Sequence, residues 1–390
     1  MPDTDSVADT AVPSDPNEGQ YKPLPKQRKS ERFVWVDLVR VTSAFLVVAI
    51  HAASLSVSDM PTLGKTSDSF RFFVGFVRTV GLCAVPMFFM ISGYLLLSKK
   101  TLKHGLFARL LKVGIPLFTW TIIYFFMSWW KHAEEYFDVQ YQGNLYDAVR
   151  NTLLGNAEHF WFLYVMVSLY LAAPILHSYL KSASRENKTY FLALCAFVCF
   201  VWPPLSFVLK RLFDVNEVHL DFYIVNTSIG YFVAGYFLGQ LTISPRTYGL
   251  CLTAFVVLAL AVVGADIVLY YYKFSRPTQV INYLMYGCNL QLPLSLVLFV
   301  VIKYLGETQF YRQSKFSVGI TRLAAFTFGI YIVHMLVLHA IGDGVLGLPF
   351  NIHTFSPWVA LPLVSLAAFF LSILLVWLLR KIPLCRWILP

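Results

Sequence analysis

Long apolar runs, separated by short polar stretches, recur along the chain from residue 33 onward. Each run is close to the roughly 20 residues that an α-helix needs to cross a bilayer. The pattern therefore predicts an all-α, polytopic membrane protein with about ten transmembrane helices. The predicted spans are 33–57, 78–98, 107–130, 160–180, 189–209, 222–241, 247–271, 281–303, 322–341 and 357–379. Pro86, Gly93 and Pro116 fall within the second and third spans and are expected to bend them.

Two segments lie outside this apolar pattern. Residues 1–32 are rich in Asp, Ser and Pro, lack apolar periodicity and end in a basic stretch, which is typical of a disordered tail. This hydrophilic stretch precedes a hydrophobic run too long for a signal peptide, so no cleavable signal is expected. The predicted organisation is a cytoplasmic N-terminal tail (1–32), one membrane domain (33–380) and a short cytoplasmic C-terminal tail (381–390).

The composition agrees with a membrane protein. Hydrophobic residues make up 57% of the chain and charged residues only 13%, whereas soluble domains average about 25% charged residues. Most of the 31 Lys and Arg residues fall in the connections on the side of the N-terminus, so the positive-inside rule places both termini in the cytoplasm. The net charge of +10 follows from these flanks and does not indicate a nucleic-acid partner. The six cysteines show no metal-ligand or CxxC spacing, so neither a disulfide framework nor a metal site is predicted.

The first span carries two ionisable residues, Arg40 and His51, in an otherwise apolar run. Eleven positions separate them, which on an α-helix is about 1100° of rotation and about 16 Å of axial distance, so both lie on one face. Further residues on this face complete a narrow stripe: Ser43, Ala44, Val47 and Ser54. A purely structural explanation of Arg40 is an interfacial arginine paired with Asp37. For His51 it is a histidine that is hydrogen-bonded between helices. Intramembrane ionisable residues more often mark function, which favours a functional role for His51.

Further polar residues lie near the level of Arg40. Arg109 and Lys112 are one turn apart at the start of the third span, and Ser92 lies in the second span. A positive-inside flank and a close contact between small residues would explain them. Together with Arg40, however, the two basic residues would also suit a polyanion, because arginine binds phosphate through two parallel hydrogen bonds.

Two more histidines lie at the depth of His51. His159 and Trp161 stand at the entrance of the fourth span, and His334 follows Tyr331 by one turn in the ninth. An aromatic belt at the membrane interface and interhelical hydrogen bonds are the structural explanations. Their common depth makes these residues candidates for orienting a substrate beside His51.

Arg40 and His51, with ten residues between them, resemble the R-X10-H signature of the acyltransferase-3 family, integral-membrane acyltransferases that modify cell-surface glycans. The resemblance extends through FFMISGYLL, RLLK followed by IPL, HFWFLY and FGIYIVH, in the family's order, over about residues 33–380. The chain looks closest to the branch that includes O-acetyltransferases of enterobacterial common antigen and other surface polysaccharides. One motif departs from the family, which often has R-x-x-R where this chain has Arg109-Leu-Leu-Lys112. Lysine keeps the charge but loses the bidentate fork.

This resemblance implies an O-acyltransferase of the bacterial cytoplasmic (inner) membrane. It would move an acetyl or other short acyl group from cytosolic acetyl-CoA (acyl-CoA) to a hydroxyl of a surface or lipid-linked glycan. By the same resemblance His51 is catalytic and Arg40 binds the donor, together with Arg109, Lys112 and Ser92. The pantetheine arm would then follow the small-residue stripe through a continuous passage and bring the thioester to His51. His51 would act as a general base or, alternatively, as an acyl-histidine relay.

The acceptor side is less defined by these motifs. The candidates for binding or orienting the acceptor are Asp37, His159, Trp161, Tyr331 and His334. The main alternative function is a polytopic transporter or flippase of a glycan or an acyl-linked solute, since a polar-lined bundle also suits transport. The lack of a visible internal repeat argues against it. A membrane scaffold without chemistry is a third possibility.

Overall fold

The fold is known from a computed structural model that describes residues 33–58, 68–99, 105–130, 159–213, 227–271, 279–282, 284–285, 289–313, 315–342, 344–345 and 356–390. Within these residues the chain is helical and has no β-strand, which confirms the predicted all-α class. The predicted N-terminal tail, 1–32, lies outside the described residues.

Sixteen α-helices and one π-helical turn make up the described part of the chain. The helices are α1 (Val34–Ser58), α2 (Asp68–Gly81), α3 (Ala84–Leu97), α4 (Leu106–Trp130), α5 (Trp161–Ser182), α6 (Arg185–Ala196), α7 (Trp202–Leu212), α8 (Thr227–Gln240), α9 (Pro245–Tyr271), α10 (Gln279–Asn282), α11 (Gln291–Glu307), α12 (Gln309–Gln313), α13 (Lys315–Ala324), α14 (Thr327–Gly342), α15 (Pro357–Leu379) and α16 (Cys385–Ile388). The π-helical turn, Phe197–Val201, joins α6 to α7.

Among the described residues, seven helical segments are long and apolar enough to cross a membrane, with α2 and α3 counted as one segment and α6, the π-helical turn and α7 as another. The number is eight if the bent pair α13 and α14 forms one span. This agrees with a polytopic membrane protein. The predicted spans 222–241 and 281–303 correspond to α8, with 14 residues, and α11, with 17, and part of each predicted span lies outside the described residues. The count of ten spans and the cytoplasmic side of both termini stay predictions.

The ninth predicted span, 322–341, is not one straight helix. The chain bends by 65° between α13 and α14. At the bend the amides of Ala325 and Phe326 bond three residues back, and Thr327 Oγ1 donates to the Ala324 carbonyl at 2.9 Å. These tight turns satisfy backbone groups that a continuous helix would have paired, so the helix ends without orphaned polar groups.

The second predicted span, 78–98, begins ten residues later than the helical segment in the structure. The helical segment begins at Asp68, and a turn at Leu82 and Cys83 divides it into α2 and α3. The turn is close to Pro86, which lacks an amide hydrogen and weakens helical continuity there. Arg78, which the sequence pattern placed at the edge of the membrane, consequently lies within a long helical segment.

Helix α1 lies at the centre of the bundle, packed against six others: α2, α3, α11, α13, α14 and α15. Helices α3 and α8 also approach closely, because a Cβ added at Gly93 would lie 1.7 Å from the carbonyl oxygen of Phe232, and one at Gly235 would lie 2.0 Å from that of Met90. Only glycine fits at both places. This contact fixes the part of α3 that carries Ser92.

The segment 381–390 packs against the bundle. Trp120 Nε1 on α4 donates to the Ile388 carbonyl at 3.0 Å, and Arg380 Nε donates to the Leu389 carbonyl at 2.9 Å. The Leu389 side chain is buried in the core. Helix α16 and its neighbours therefore complete the packing surface of α4.

Candidate active site

Helix α1 places Arg40 and His51 in the walls of two separate cavities. The cavity beside His51 has a volume of about 530 Å³ and is called here the histidine cavity. The cavity beside Arg40 has a volume of about 310 Å³ and is called the cationic cavity. The eleven-residue spacing fixes an axial distance of about 16 Å between the two residues.

Three histidines from different parts of the chain meet at the histidine cavity. The ring centroids of His51 and His334 lie 5.1 Å apart, those of His159 and His334 lie 5.0 Å apart, and those of His51 and His159 lie 6.4 Å apart. His51 and His159 line the cavity, and His334 lies behind them, fully buried. The structure thus brings together the three histidines that the sequence placed at one depth.

Backbone carbonyls of α14 fix two of these imidazoles. His334 Nδ1 lies 2.7 Å from the Tyr331 carbonyl oxygen, and His159 Nε2 lies 3.3 Å from that of Ile332. A carbonyl only accepts, so each of these nitrogens is the donor. In neutral His334 the other nitrogen, Nε2, is then an acceptor, and it has no hydrogen-bond partner among the described residues. An acceptor nitrogen therefore lies within the histidine cluster.

Two tyrosines tie the cluster to its surroundings. The Tyr331 hydroxyl donates to the His159 carbonyl, and the Tyr124 hydroxyl donates to the Ile332 carbonyl at 2.8 Å. Tyr331 lines the histidine cavity, and so does Trp161, whose side chain is 46% exposed. The predicted acceptor-side residues of α5 and α14 consequently share one site.

Arg78 also lines the histidine cavity, although the sequence pattern had not marked it as a site residue. Its Nη1 donates to Ser54 Oγ at 2.6 Å, and its Nη2 donates to Asn282 Oδ1 at 3.2 Å. Ser54 follows His51 by one turn of α1. One sequence feature could have identified Arg78. It lies seven residues after Arg71, and this spacing places both arginines on one face of an amphipathic helix.

Two carboxamides complete this wall of the cavity. Asn289 Nδ2 donates to the Cys199 carbonyl, and Gln291 Nε2 donates to the Leu82 carbonyl. Asn289 has a φ of 52°, a left-handed conformation that asparagine tolerates better than most residues. Both side chains are anchored at places where helices are interrupted, and nothing in the apolar pattern indicated them.

The cationic cavity gathers basic residues from three segments. Its lining residues are Arg40, Ser92, Leu95, Leu96, Lys99, Arg109 and Tyr170. Partial burial, and then the positive charge of Arg109, lower the pKa of Lys99. The carbonyl of Lys99 lies 2.7 Å from His177 Nε2, which donates to it and fixes this turn.

Two of the predicted site residues lie elsewhere. Lys112 is exposed and is absent from the lining of the cationic cavity, where Lys99 stands instead. Asp37 does not reach the histidine cavity. Its carboxylate lies 3.9 Å from Arg40 Nη1 and accepts a hydrogen bond from Thr321 Oγ1 at 3.1 Å. Asp37 therefore orients the arginine at the opposite end of the site.

The described residues that line the two cavities do not overlap, so these two cavities are not joined into the continuous passage that the sequence predicts. Between Arg40 and His51 the stripe of α1 is packed, with Ser43 at 0% and Ala44 at 1% exposure. Small side chains let neighbouring helices approach closely. The two halves of the site are thus separate cavities, and the buried side chains of Ser43 and Ala44 lie between Arg40 and His51 on α1.

A comparison with models of protein families matches an acyltransferase domain of the acyltransferase-3 type over residues 33–378. The chain belongs to the acyltransferase-3 family. The matched region includes every residue of both cavities. No characterised protein and no solved structure matched the chain. With its several apolar helices, this member of the acyltransferase-3 family is a multi-pass membrane acyltransferase.

The histidine cluster of this acyltransferase does not have the geometry of a metal centre. In the part of the chain that the structure describes, no three His, Cys, Asp or Glu side chains are arranged to hold a metal ion. Its three imidazoles are instead positioned by backbone carbonyls and ring contacts. The arrangement suits proton transfer at a buried imidazole.

Proposed function

We propose that the protein transfers an acetyl or other short acyl group from acyl-CoA to a hydroxyl of a surface or lipid-linked glycan at the bacterial cytoplasmic membrane. The observation that carries this proposal is the placement of Arg40 and His51. One helix contributes a cation to a basic cavity at one end and an imidazole to a polar cavity at the other. Membership of the acyltransferase-3 family favours this reaction over the transporter alternative.

In this proposal the cationic cavity binds the phosphates of coenzyme A. Arg40 and Arg109 offer planar guanidinium groups that pair with phosphate oxygens through two hydrogen bonds each. Lys99 adds a point charge, in the role that the sequence had assigned to Lys112. Ser92 adds a hydroxyl to the same wall. This end of the site would face the cytosol, where acyl-CoA is made available.

The chemistry takes place at His51. Its neutral imidazole accepts the proton of the acceptor hydroxyl, and the oxygen attacks the carbonyl carbon of the thioester. The carbon–sulfur bond then breaks, and the imidazolium returns its proton to the departing thiolate. The products are the acylated sugar and free coenzyme A. His159 and His334, held by carbonyls of α14, keep the His51 ring in place.

The closed stripe adds one step to this mechanism. The acyl end of the donor reaches His51 only when the helices around Ser43 and Ala44 separate. Such helix motions occur on the microsecond-to-millisecond scale, which is fast enough for ordinary turnover. The closed state also keeps the thioester of the donor apart from the acceptor cavity until the helices separate.

Acetyl transfer from labelled acetyl-CoA to a glycan extract, using purified protein in lipid, tests the proposal. His51→Ala is expected to reduce transfer by about 10²- to 10⁴-fold, the usual contribution of a general base. Coenzyme A binding should persist in this variant, which serves as the control for folding. Full transfer by folded His51→Ala would reject the histidine as the base. Absence of any transfer by the wild-type protein, together with movement of an intact glycan across the membrane, would favour the transporter.

Rapid quenching of the same reaction in cold denaturing detergent near neutral pH separates the two roles of His51, because an acyl-imidazole hydrolyses quickly in acid. A labelled acyl group that remains on the protein after quenching, and that is absent in His51→Ala, would establish the acyl-histidine relay. Label found only in donor and product supports direct attack by the acceptor hydroxyl.

A further inference from the structure

Arg78 places a positive charge about one helical turn from the catalytic histidine. Its hydrogen bond to Ser54 Oγ joins α2 to α1, and Ser54 lies three residues beyond His51, which is about 4.5 Å along the helix axis. The second bond, to Asn282 Oδ1, joins the guanidinium to α10. Both of these partners are neutral oxygens, and they hold the guanidinium in the wall of the histidine cavity.

The rest of the cavity wall is polar and neutral. Asn289 and Gln291 are fixed by hydrogen bonds to the carbonyls of Cys199 and Leu82. Trp161 contributes a partly exposed aromatic ring to the same cavity. Fixed carboxamides offer hydrogen bonds to hydroxyl groups, and an aromatic ring offers a face to a sugar ring. A rigid set of this kind suits a polyhydroxylated ligand.

The charge of the lining narrows the class of ligand. Of the described residues that line the histidine cavity, none is acidic. In the low dielectric of a membrane bundle, the interaction of a guanidinium with an anion is much stronger than in water. Arginine also matches the planar arrangement of oxygens in a carboxylate or a phosphate.

We propose that the histidine cavity takes an anionic acceptor, a sugar unit that carries a carboxylate or a phosphate group, with Arg78 binding the anion and His51 facing a hydroxyl of the same unit. This inference rests on the proposed function and adds the chemical class of the acceptor. The two sources of negative charge are a sugar acid and a sugar phosphate such as a lipid-linked sugar carries.

Binding measurements on the purified full-length protein test this inference. Isothermal titration with coenzyme A comes first, because it tests the donor site of the proposed function by itself. Methyl glucoside, methyl glucuronoside and glucose 1-phosphate are then titrated in the presence of saturating coenzyme A, which occupies the cationic cavity. Wild-type protein should bind at least one anionic probe about 10- to 100-fold more tightly than the neutral glucoside, as expected for one charge-assisted hydrogen-bonded pair. Whichever anionic probe binds more tightly identifies the source of the charge.

Variants of Arg78 link the preference to this residue. Arg78→Gln should reduce the affinity for the anionic probe to that for the glucoside, whereas Arg78→Lys should retain part of the difference. Arg71→Gln, on the same helix but outside the cavity lining, is the matched control and should behave as the wild type does. Unchanged coenzyme A affinity in all three variants demonstrates that the bundle is intact.

The outcomes distinguish failure of the anionic acceptor from failure of the proposed function. Equal affinity of wild-type protein for all three probes, or binding of coenzyme A without any binding of the anionic probes, overturns the anionic acceptor and leaves the proposed function standing. Failure of wild-type protein to bind coenzyme A counts against the proposed function. The probes titrated without coenzyme A then still report whether Arg78 selects an anion. If Arg78→Gln does not fold, the comparison of probes on the wild-type protein decides the inference alone.

Discussion

The two cavities along α1 differ in almost every physical respect except the helix that they share. The cationic cavity collects basic side chains near a helix end, and the Arg40 side chain remains 34% exposed. The histidine cavity is built from imidazoles, carboxamides and one arginine, and His334 beside it is fully buried. Partly exposed cations suit the capture of a hydrated polyanion, whereas buried imidazoles suit proton transfer. The contrast fits the proposed function, in which donor binding and chemistry lie at opposite ends of one helix.

The largest test of this division acts on the cationic cavity. The double variant Arg40→Ala/Arg109→Ala removes two guanidinium groups, and the loss of their charge-assisted hydrogen bonds should weaken acyl-CoA binding by about 100-fold or more. Turnover at saturating donor should change much less. Isothermal titration and steady-state kinetics measure the two quantities. Arg246→Ala, an exposed arginine outside both cavities, is the control. Unaltered donor affinity in the double variant would contradict the assignment of this cavity.

Variants of the histidine cavity should change kcat and leave donor binding unaltered, which is the reverse of the effect expected for the cationic cavity. His334→Ala removes an imidazole whose ring lies 5.1 Å from that of His51. Loss of this support should reduce kcat by about tenfold, because a misplaced catalytic group loses much of its effect, and should leave the KM for acyl-CoA unchanged. The pH–rate profile should also be displaced, which a purely structural role would not cause. A changed KM with the wild-type pH profile would remove His334 from the positioning role.

The closed stripe between the cavities gives a third test. Ala44→Val adds two methyl groups where the wild-type side chain is already buried. In the opened state the two methyl groups would narrow the passage for the pantetheine arm, and a cost of about 1 kcal/mol to the entry of the donor would slow turnover about fivefold. Coenzyme A affinity should stay the same, since the cationic cavity is untouched. Ala44→Gly, which removes volume, is the matched comparison. Equal turnover in both variants would show that opening at this position does not limit the reaction.

The smallest expected effect distinguishes two lysines. Lys99→Ala should weaken acyl-CoA binding about two- to fivefold, the usual range for one partly exposed charge, because Lys99 lines the cationic cavity. Lys112→Ala should leave it within experimental error. Titration with coenzyme A at low ionic strength gives the clearest difference, since salt screens exposed charges. A larger effect from Lys112 than from Lys99 would support the prediction made from the sequence motif.

The features that were predictable from the sequence depend on local periodicity. Helical spacing placed Arg40 and His51 on one face, and apolar runs predicted the all-α membrane fold. The common depth of His159, His334 and His51 followed from their positions in or at the entrance of three predicted helices. Each of these inferences needs only the geometry of a single helix and the thickness of a bilayer.

The missed residues depend on contacts between helices. Arg78 reaches the site because α2 begins ten residues earlier than predicted and packs against α1. Asn289 and Gln291 lie where helices are interrupted, and no apolar period marks such places. Lys99 lines the cationic cavity whereas Lys112 is exposed on α4, and this difference depends on how α4 packs against its neighbours. The rotation of each helix and the places where helices break depend on packing across the whole bundle. The hydrophobic pattern of a single sequence does not specify this packing.

The contact between Trp120 and Ile388 has a consequence for biosynthesis. The two residues are 268 positions apart in the chain, yet one hydrogen bond joins them. Helix α4 emerges from the ribosome long before the segment that completes its packing is made. During that interval one side of α4 must be covered by lipid or by the insertion machinery. A chain interrupted before Ile388 would keep this helix open to the proteases that remove unassembled membrane proteins.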